Sequence, residues 1–150
     1  MPTLTRPLTI TRTIDAPREL VFACWTETEH LARWGGAPAD MTAEVEIKEI
    51  RTGGRYRVHL RHTNGDSFTV QGKYLEVIKP ERLVFTHAWI GDDGTPGKEM
   101  LVTITFADAD GGTKMMLRQE GFTSADSRDG HKLGWSSQLD RFITYVNSIA

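Results

Sequence analysis

The chain has 150 residues, 39% of them hydrophobic and 25% charged, with a mean hydropathy of -0.38. This reads as one globular domain over residues 1–150 and excludes collagen-like, low-complexity and wholly disordered classes. Eighteen basic residues against 20 acidic give a net charge of -2, so the basic surplus that a general nucleic-acid or anionic-membrane binder needs is missing.

The elements follow from periodicity. Leu8, Thr9, Ile10 and Thr11 open an alternating run to Ile14, a strand with one apolar face. Asp15 offers an N-cap carboxylate, Pro17 suits a first helical turn, and Val21, Phe22 and Trp25 fall at helical spacing, which predicts a helix of about three turns. Thr28 offers a cap for a second short helix carrying Leu31 and Trp34, ended by Gly35-Gly36. Strands then follow one another. Val45 and Ile47 alternate with Glu44, Glu46 and Lys48, which places Lys48 outward; Tyr56, Val58 and Leu60 alternate with Arg55, Arg57, His59 and Arg61. Asn64-Gly65 predicts a tight hairpin with positive φ at both central residues. Phe68, Val70, Gly72 and Tyr74 form the next inward face, closed by Lys79-Pro80-Glu81; Leu83, Phe85, His87 and Trp89 form another, ending at Gly91-Asp92-Asp93-Gly94. The last hairpin pairs Val102, Ile104 and Phe106 with Met115, Leu117 and Gln119 across Asp110-Gly111-Gly112. Seven strands, mostly antiparallel, result. Trp135, Leu139, Phe142, Ile143, Val146 and Ile149 then recur at three and four residues, one long amphipathic helix whose stripe needs the concave face of that sheet to cover it. No linker or repeat divides the chain.

No run of about 18 apolar residues predicts a membrane span, and residues 1–8 lack the apolar core of an export signal, so a cytoplasmic location is expected. A single Cys24 cannot form an intramolecular disulfide.

Several reactive constellations are absent from the sequence. His59 and His62 stand three apart in a strand and point to opposite faces, so they cannot share a metal. The glycines between Gly91 and Gly97 have the wrong spacing for a phosphate loop, and Lys98 is followed by Glu99. Asp108 and Asp110-Gly111 start like a calcium loop, but Gly112 stands where a ligand is required. Ser136 and Ser137 have no GxSxG elbow, and Cys24 shares a helix face with Leu20, so these read as structural. No catalytic residue, metal site or cofactor is assigned.

What remains is an inward face that is not purely aliphatic. His87 lies between Phe85 and Trp89, Gln119 continues Met115 and Leu117, Tyr56 begins the Val58 and Leu60 stripe, and Gly72 removes bulk from its strand. His131 precedes Trp135 by one helical turn. Such a face suits either a cavity with a few orienting groups or a filled core with satisfied polar residues. The cationic stripe Arg55, Arg57, His59 and Arg61 reads as a solvated outer face paired with Glu44 and Glu46; an anion or chaperone contact is its functional alternative.

The order of strand, two short helices, six strands and long helix resembles the helix-grip fold of the START-like (SRPBCC, birch-pollen-allergen-like) superfamily, an α+β architecture. Ile14-Asp15-Ala16-Pro17, Glu29-His30-Leu31-Ala32-Arg33-Trp34, Gly54-Arg55-Tyr56-Arg57, Glu81-Arg82-Leu83-Val84-Phe85-Thr86, Glu120-Gly121-Phe122 and Gly134-Trp135 followed by Leu139 resemble, in this order and over nearly the whole chain, the family of homologues of the activator of heat-shock-protein ATPase. One departure is that the short helix often ends there in paired tryptophans before Gly-Pro, whereas Trp34 is followed by Gly35-Gly36. The resemblance implies a cavity between sheet and C-terminal helix that encloses a small, largely hydrophobic ligand. Phe85, Trp89, Trp135 and Leu139 would supply its apolar contacts, with Tyr56, His87, Gln119 and His131 as orienting groups. Two other readings belong to the same superfamily: a polyketide cyclase or aromatase in which His87 or His131 is the acid/base, and a chaperone-interaction domain. A homodimer is a further expectation.

Overall fold

A computed structural model describes residues 5–150; the reading of residues 1–8 as lacking an export signal lies partly outside that range. The elements are β1 (Leu8–Ile14), α1 (Arg18–Thr26), α2 (Thr28–Trp34), β2 (Met41–Lys48), β3 (Arg55–His62), β4 (Ser67–Ile78), β5 (Arg82–Ile90), β6 (Met100–Ala109), β7 (Gly112–Glu120) and α3 (Ala125–Ile149). The seven strands make one curved antiparallel sheet in the order β1-β7-β6-β5-β4-β3-β2, gripped by α3, which is the helix-grip fold.

The inward residues of β1, β6 and β7 are aliphatic or aromatic, and the two short helices pack on them. Phe22 meets Phe106 edge-on at 5.3 Å between ring centroids, and Phe142 of α3 lies edge-on to both Trp25 at 5.0 Å and Trp34 at 5.1 Å. Leu139, Phe142 and Val146 are buried here, so the C-terminal half of α3 belongs to a filled core. Its N-terminal half faces open space instead.

Helix ends differ from the sequence reading in three places. Asp15 is exposed and does not cap α1: the carbonyl of Pro17 closes the first turn by accepting the N–H groups of Leu20 and Val21, both at 3.0 Å. Thr28 is the first residue of α2, not its cap, and Glu27 precedes it in extended conformation. Helix α3 begins at Ala125, where Ser124 Oγ accepts the N–H of Ser127 at 3.1 Å.

The expected hairpin geometry occurs at a different turn. At Asn64-Gly65 only Gly65 has positive φ (97°), because Asn64 turns its side-chain oxygen onto the N–H of Asp66 at 2.8 Å and keeps an ordinary backbone. The turn with positive φ at both central residues is Asp110-Gly111, at 46° and 84°, between the paired Ala109 and Gly112.

One irregularity changes which residues face inward. Met41, Ala43 and Val45 of β2 lie opposite His62, Leu60 and Val58, on the inner face; then the register slips, and Ile47 lies opposite Arg57 and Lys48 opposite Tyr56. Glu46 is the extra residue of a β-bulge. Directly paired residues share a face, so the bulge sends Ile47 outward and Lys48 inward, against the simple alternation.

Candidate functional site

A cavity of about 580 Å³ lies between the inner faces of β2 to β5, the α1–α2 pair and the N-terminal half of α3. Its wall is aromatic: Trp25 and Trp34 from the short helices, Phe85 and Trp89 from β5, Tyr74 from β4, and Trp135 from α3. Helix α3 presents Ser127, Gly130, His131, Gly134, Trp135 and Gln138 to it, residues three and four apart on one face. A Cβ built on Gly130 or Gly134 would meet nothing within 4 Å. These two glycines therefore leave room that any larger residue would occupy.

The polar groups of the wall are mostly engaged with one another. Trp89 donates its indole N–H to His131 Nε2 at 2.9 Å, and His131 Nδ1 donates to the carbonyl of Ser127 at 2.7 Å. Together these bonds select the neutral Nδ1–H tautomer of His131. Trp135 donates to Gln119 Oε1 at 2.8 Å, and Gln119 Nε2 donates to Met100 Sδ at 3.4 Å. Tyr56 lays its ring over Gly72 and donates its hydroxyl to the carbonyl of Thr86 at 2.6 Å. The space that Gly72 provides is thus filled by Tyr56; a methyl group there would lie 2.7 Å from that hydroxyl. Burial pushes the Tyr56 and Tyr74 hydroxyls well above the usual tyrosine pKa.

His87 is the exception. It is 6% exposed, and its Nδ1 is buried without a hydrogen-bond partner. Burial and, secondarily, the neighbouring His131 ring at 5.7 Å hold its pKa down at about 3, so the imidazole is neutral at physiological pH.

Six of the eight residues named from the sequence line the cavity: Tyr56, Phe85, His87, Trp89, His131 and Trp135. Gln119 and Leu139 do not reach its wall. Gln119 is fully buried behind Trp135 and orients that indole; Leu139 points into the core below, next to Phe142 and Val146 on the filled half of α3. The Trp135 ring lies tilted to those of Trp25, at 6.5 Å, and His87, at 6.2 Å between centroids, while Trp89 reaches α3 through His131.

Lys48 is the lining residue that sequence alternation hid. Among the described residues it is the one lysine or arginine in the wall, brought there by the Glu46 bulge, and burial lowers its pKa to about 8. The cationic stripe lies on the opposite, outer face: Arg57 Nε is 3.3 Å from Glu46, His59 Nε2 is 3.2 Å from the same carboxylate, and Glu44 stands across from His59 in register. Burial raises the Cys24 thiol to about 11, and the carbonyl of Cys24 accepts the Trp34 indole N–H at 2.8 Å. Among the described residues no three His, Cys, Asp or Glu side chains are grouped to hold a metal ion, and no helix is long and apolar enough to cross a membrane.

Residues 15–147 match the family described as activator of Hsp90 ATPase homolog 1-like protein. The chain belongs to this family. Among solved structures, a protein from Chromobacterium violaceum is 29% identical, with a TM-score of 0.82 over 93% of this chain and 96% of that one. An AHSA1-like protein from Aeromonas hydrophila is 27% identical, with a TM-score of 0.71 over 96% and 94%. The AHSA1 protein from Silicibacter pomeroyi shares the fold at 20% identity, with a TM-score of 0.87 over 97% and 100%. Among curated proteins none matches.

Within this AHSA1-like fold the Gly35-Gly36 departure has a physical basis. Gly35 adopts φ 96°, and a Cβ there would lie 2.7 Å from Arg141 Cζ. That guanidinium donates to the carbonyls of Ala37, Pro38 and Met41, each at 3.3 Å, and so ties the α2–β2 loop, which supplies Gly36 and Pro38 to the cavity wall, to helix α3.

Proposed function

We propose that this protein binds a small, largely apolar molecule in the cavity between the sheet and the N-terminal half of α3. The carrying observation is the cavity itself: about 580 Å³ walled by four tryptophans, with the indole N–H groups of Trp34, Trp89 and Trp135 already bonded inside the protein. An aromatic wall in which three of the four indole N–H groups are satisfied leaves a largely hydrophobic surface to be covered by a ligand, within the volume range of small-molecule sites. The two glycines of α3 support the same reading, since they preserve space at the expense of helix propensity.

The test is a titration of hydrophobic dyes and flat polycyclic aromatics, read by indole fluorescence, calorimetry and thermal midpoint. Wild type is expected to bind at least one below about millimolar and to melt higher when loaded, because a ligand specific to the native state stabilises it by mass action. Gly134→Phe is expected to fold, since its side chain enters open space, and to lose at least about tenfold in affinity. Trp135→Ala removes an aromatic wall and is compared at a temperature where both proteins are folded, because truncating a buried Trp costs roughly 3–5 kcal/mol by itself. Absence of binding to wild type, or equal binding by Gly134→Phe, overturns the reading.

A further inference from the structure

Lys48 is the last residue of β2, and its inward position depends on the bulge. In an unbroken ladder Ile47 would lie opposite Tyr56 and Lys48 opposite Arg55; the extra residue Glu46 replaces an aliphatic side chain in the cavity with an amine. The replacement is costly in itself, because an ammonium in an apolar wall loses hydration. Among the described residues no ion pair compensates it. Glu46 faces outward, held by Arg57 at 3.3 Å and His59 at 3.2 Å, and Glu49 holds Arg51 at 3.4 Å and the N–H of Arg55 at 3.2 Å. Among the described residues no carboxylate forms an ion pair with Lys48, and desolvation is the cause of its lowered pKa.

The other polar groups that face this space are neutral, bonded elsewhere or unpaired with Lys48. Tyr56 of β3 donates to Thr86, and Tyr74 of β4 is held protonated by burial. On α3, His131 has both nitrogens bonded, and Asp126 lines the cavity from the first turn without pairing to Lys48. His87 of β5 is neutral and has an unpartnered Nδ1. The pairs Gln71 with Ala88 and Tyr74 with Phe85 bracket Gly72 against His87, so Lys48, Tyr56, Gly72 and His87 form one row across the inner face. Three interstrand spacings, about 14 Å, separate its ends. An uncompensated cation stands at one end of the row, a neutral hydrogen-bonding ring at the other, and aromatic surface lies between.

We propose that the ligand of this cavity is an apolar molecule carrying one acidic group, a monocarboxylate, and that the Lys48 ammonium is the counter-ion of that group. The proposal rests on the cavity reading above. Pairing compensates the half-buried Lys48 ammonium and places the apolar body along the tryptophans.

Three probes with the same alkyl chain, decanoate, decanol and decylamine, separate the terms by calorimetry at neutral pH. Wild type is expected to bind decanoate about tenfold or more tighter than decanol, with decylamine weakest. Lys48→Met is expected to bring the decanoate-to-decanol ratio close to one while leaving decanol affinity within about threefold. Lys48→Arg keeps the cation and is expected to keep the preference. Above about pH 8 the free amine of wild type is uncharged, so its preference is expected to shrink as pH rises, whereas that of Lys48→Arg persists. Equal binding of decanoate and decanol by wild type, a preference that survives Lys48→Met, or decylamine binding tightest overturns the counter-ion assignment. Decanol that binds wild type but not Gly134→Phe keeps the cavity reading in any of those cases. If none of the three binds wild type, both readings fall.

Discussion

His87 shows how one residue can be found in a sequence while its chemistry stays hidden. Its place between Phe85 and Trp89 is legible from alternation, but its neutrality comes from burial and from the His131 ring brought over it by α3. The native pKa, about 3, lies below the ordinary 6.5, so the unfolded state binds more protons in the interval between them. Stability is therefore complete above about pH 6.5 and is lost as pH falls towards 3. At pH 5 the loss attributable to this one imidazole is about 2 kcal/mol. Denaturant titrations at pH 7 and pH 5 are expected to show that difference in wild type and to show it reduced in His87→Gln. An unchanged slope in the variant would assign the acid sensitivity to other groups. Gln119 makes the complementary point. Its strand face was legible, but the partner it would choose was not: the Trp135 indole takes its carbonyl, and a ligand does not reach it.

At the scale of elements, the bulge in β2 decides the chemistry of the site. Alternation places Lys48 outward, and no residue type at Val45, Glu46 or Ile47 announces the slip; it becomes visible only when the pairing with β3 is known. The pairing also makes a deletion informative. Without Glu46 the ladder would run Val45 to Val58, Ile47 to Arg57 and Lys48 to Tyr56 with no interruption, the same partners as now. Deletion of Glu46 is expected to give a folded protein with Lys48 still inward and the decanoate preference retained, at the expense of exposed ion pairs worth roughly 1 kcal/mol or less each. Loss of the preference in a folded deletion variant would show that the bulge sets the angle of Lys48 and not only its face. In α3 the sequence stripe from Trp135 to Ile149 foretells a covered helix face; Leu139, Phe142 and Val146 are buried as it implies, whereas Ile149 at the end of the helix is exposed. The N-terminal half carries Gly130 and Gly134 on its inner face, too little side chain to fill the distance to the sheet, and a cavity remains there.

Across the whole molecule, the outer surface of the sheet and the inner cavity divide the charge. Arg55, Arg57 and Arg61 stand outside with Glu46 and Gln71 as neighbours, and replacing all three by Gln is expected to cost less than about 3 kcal/mol in denaturant stability and to leave ligand binding unchanged. A larger loss would mean that this face is covered, as a homodimer or a chaperone contact would cover it, and a concentration-dependent mass would then identify the first. The strands, the long helix and the inward faces that carry six of the wall residues were legible in the sequence, because each depends on periodicity: a residue two along a strand, or three and four along a helix, keeps its face whatever lies opposite. What only the tertiary structure decided are the properties that need a partner from elsewhere in the chain. The inward turn of Lys48 depends on pairing with β3, the neutral His87 on its burial under α3, the commitment of Gln119 on Trp135, and the open volume on two glycines facing a sheet about forty to eighty residues away in sequence. Local pattern carries no information about those distances; packing creates them.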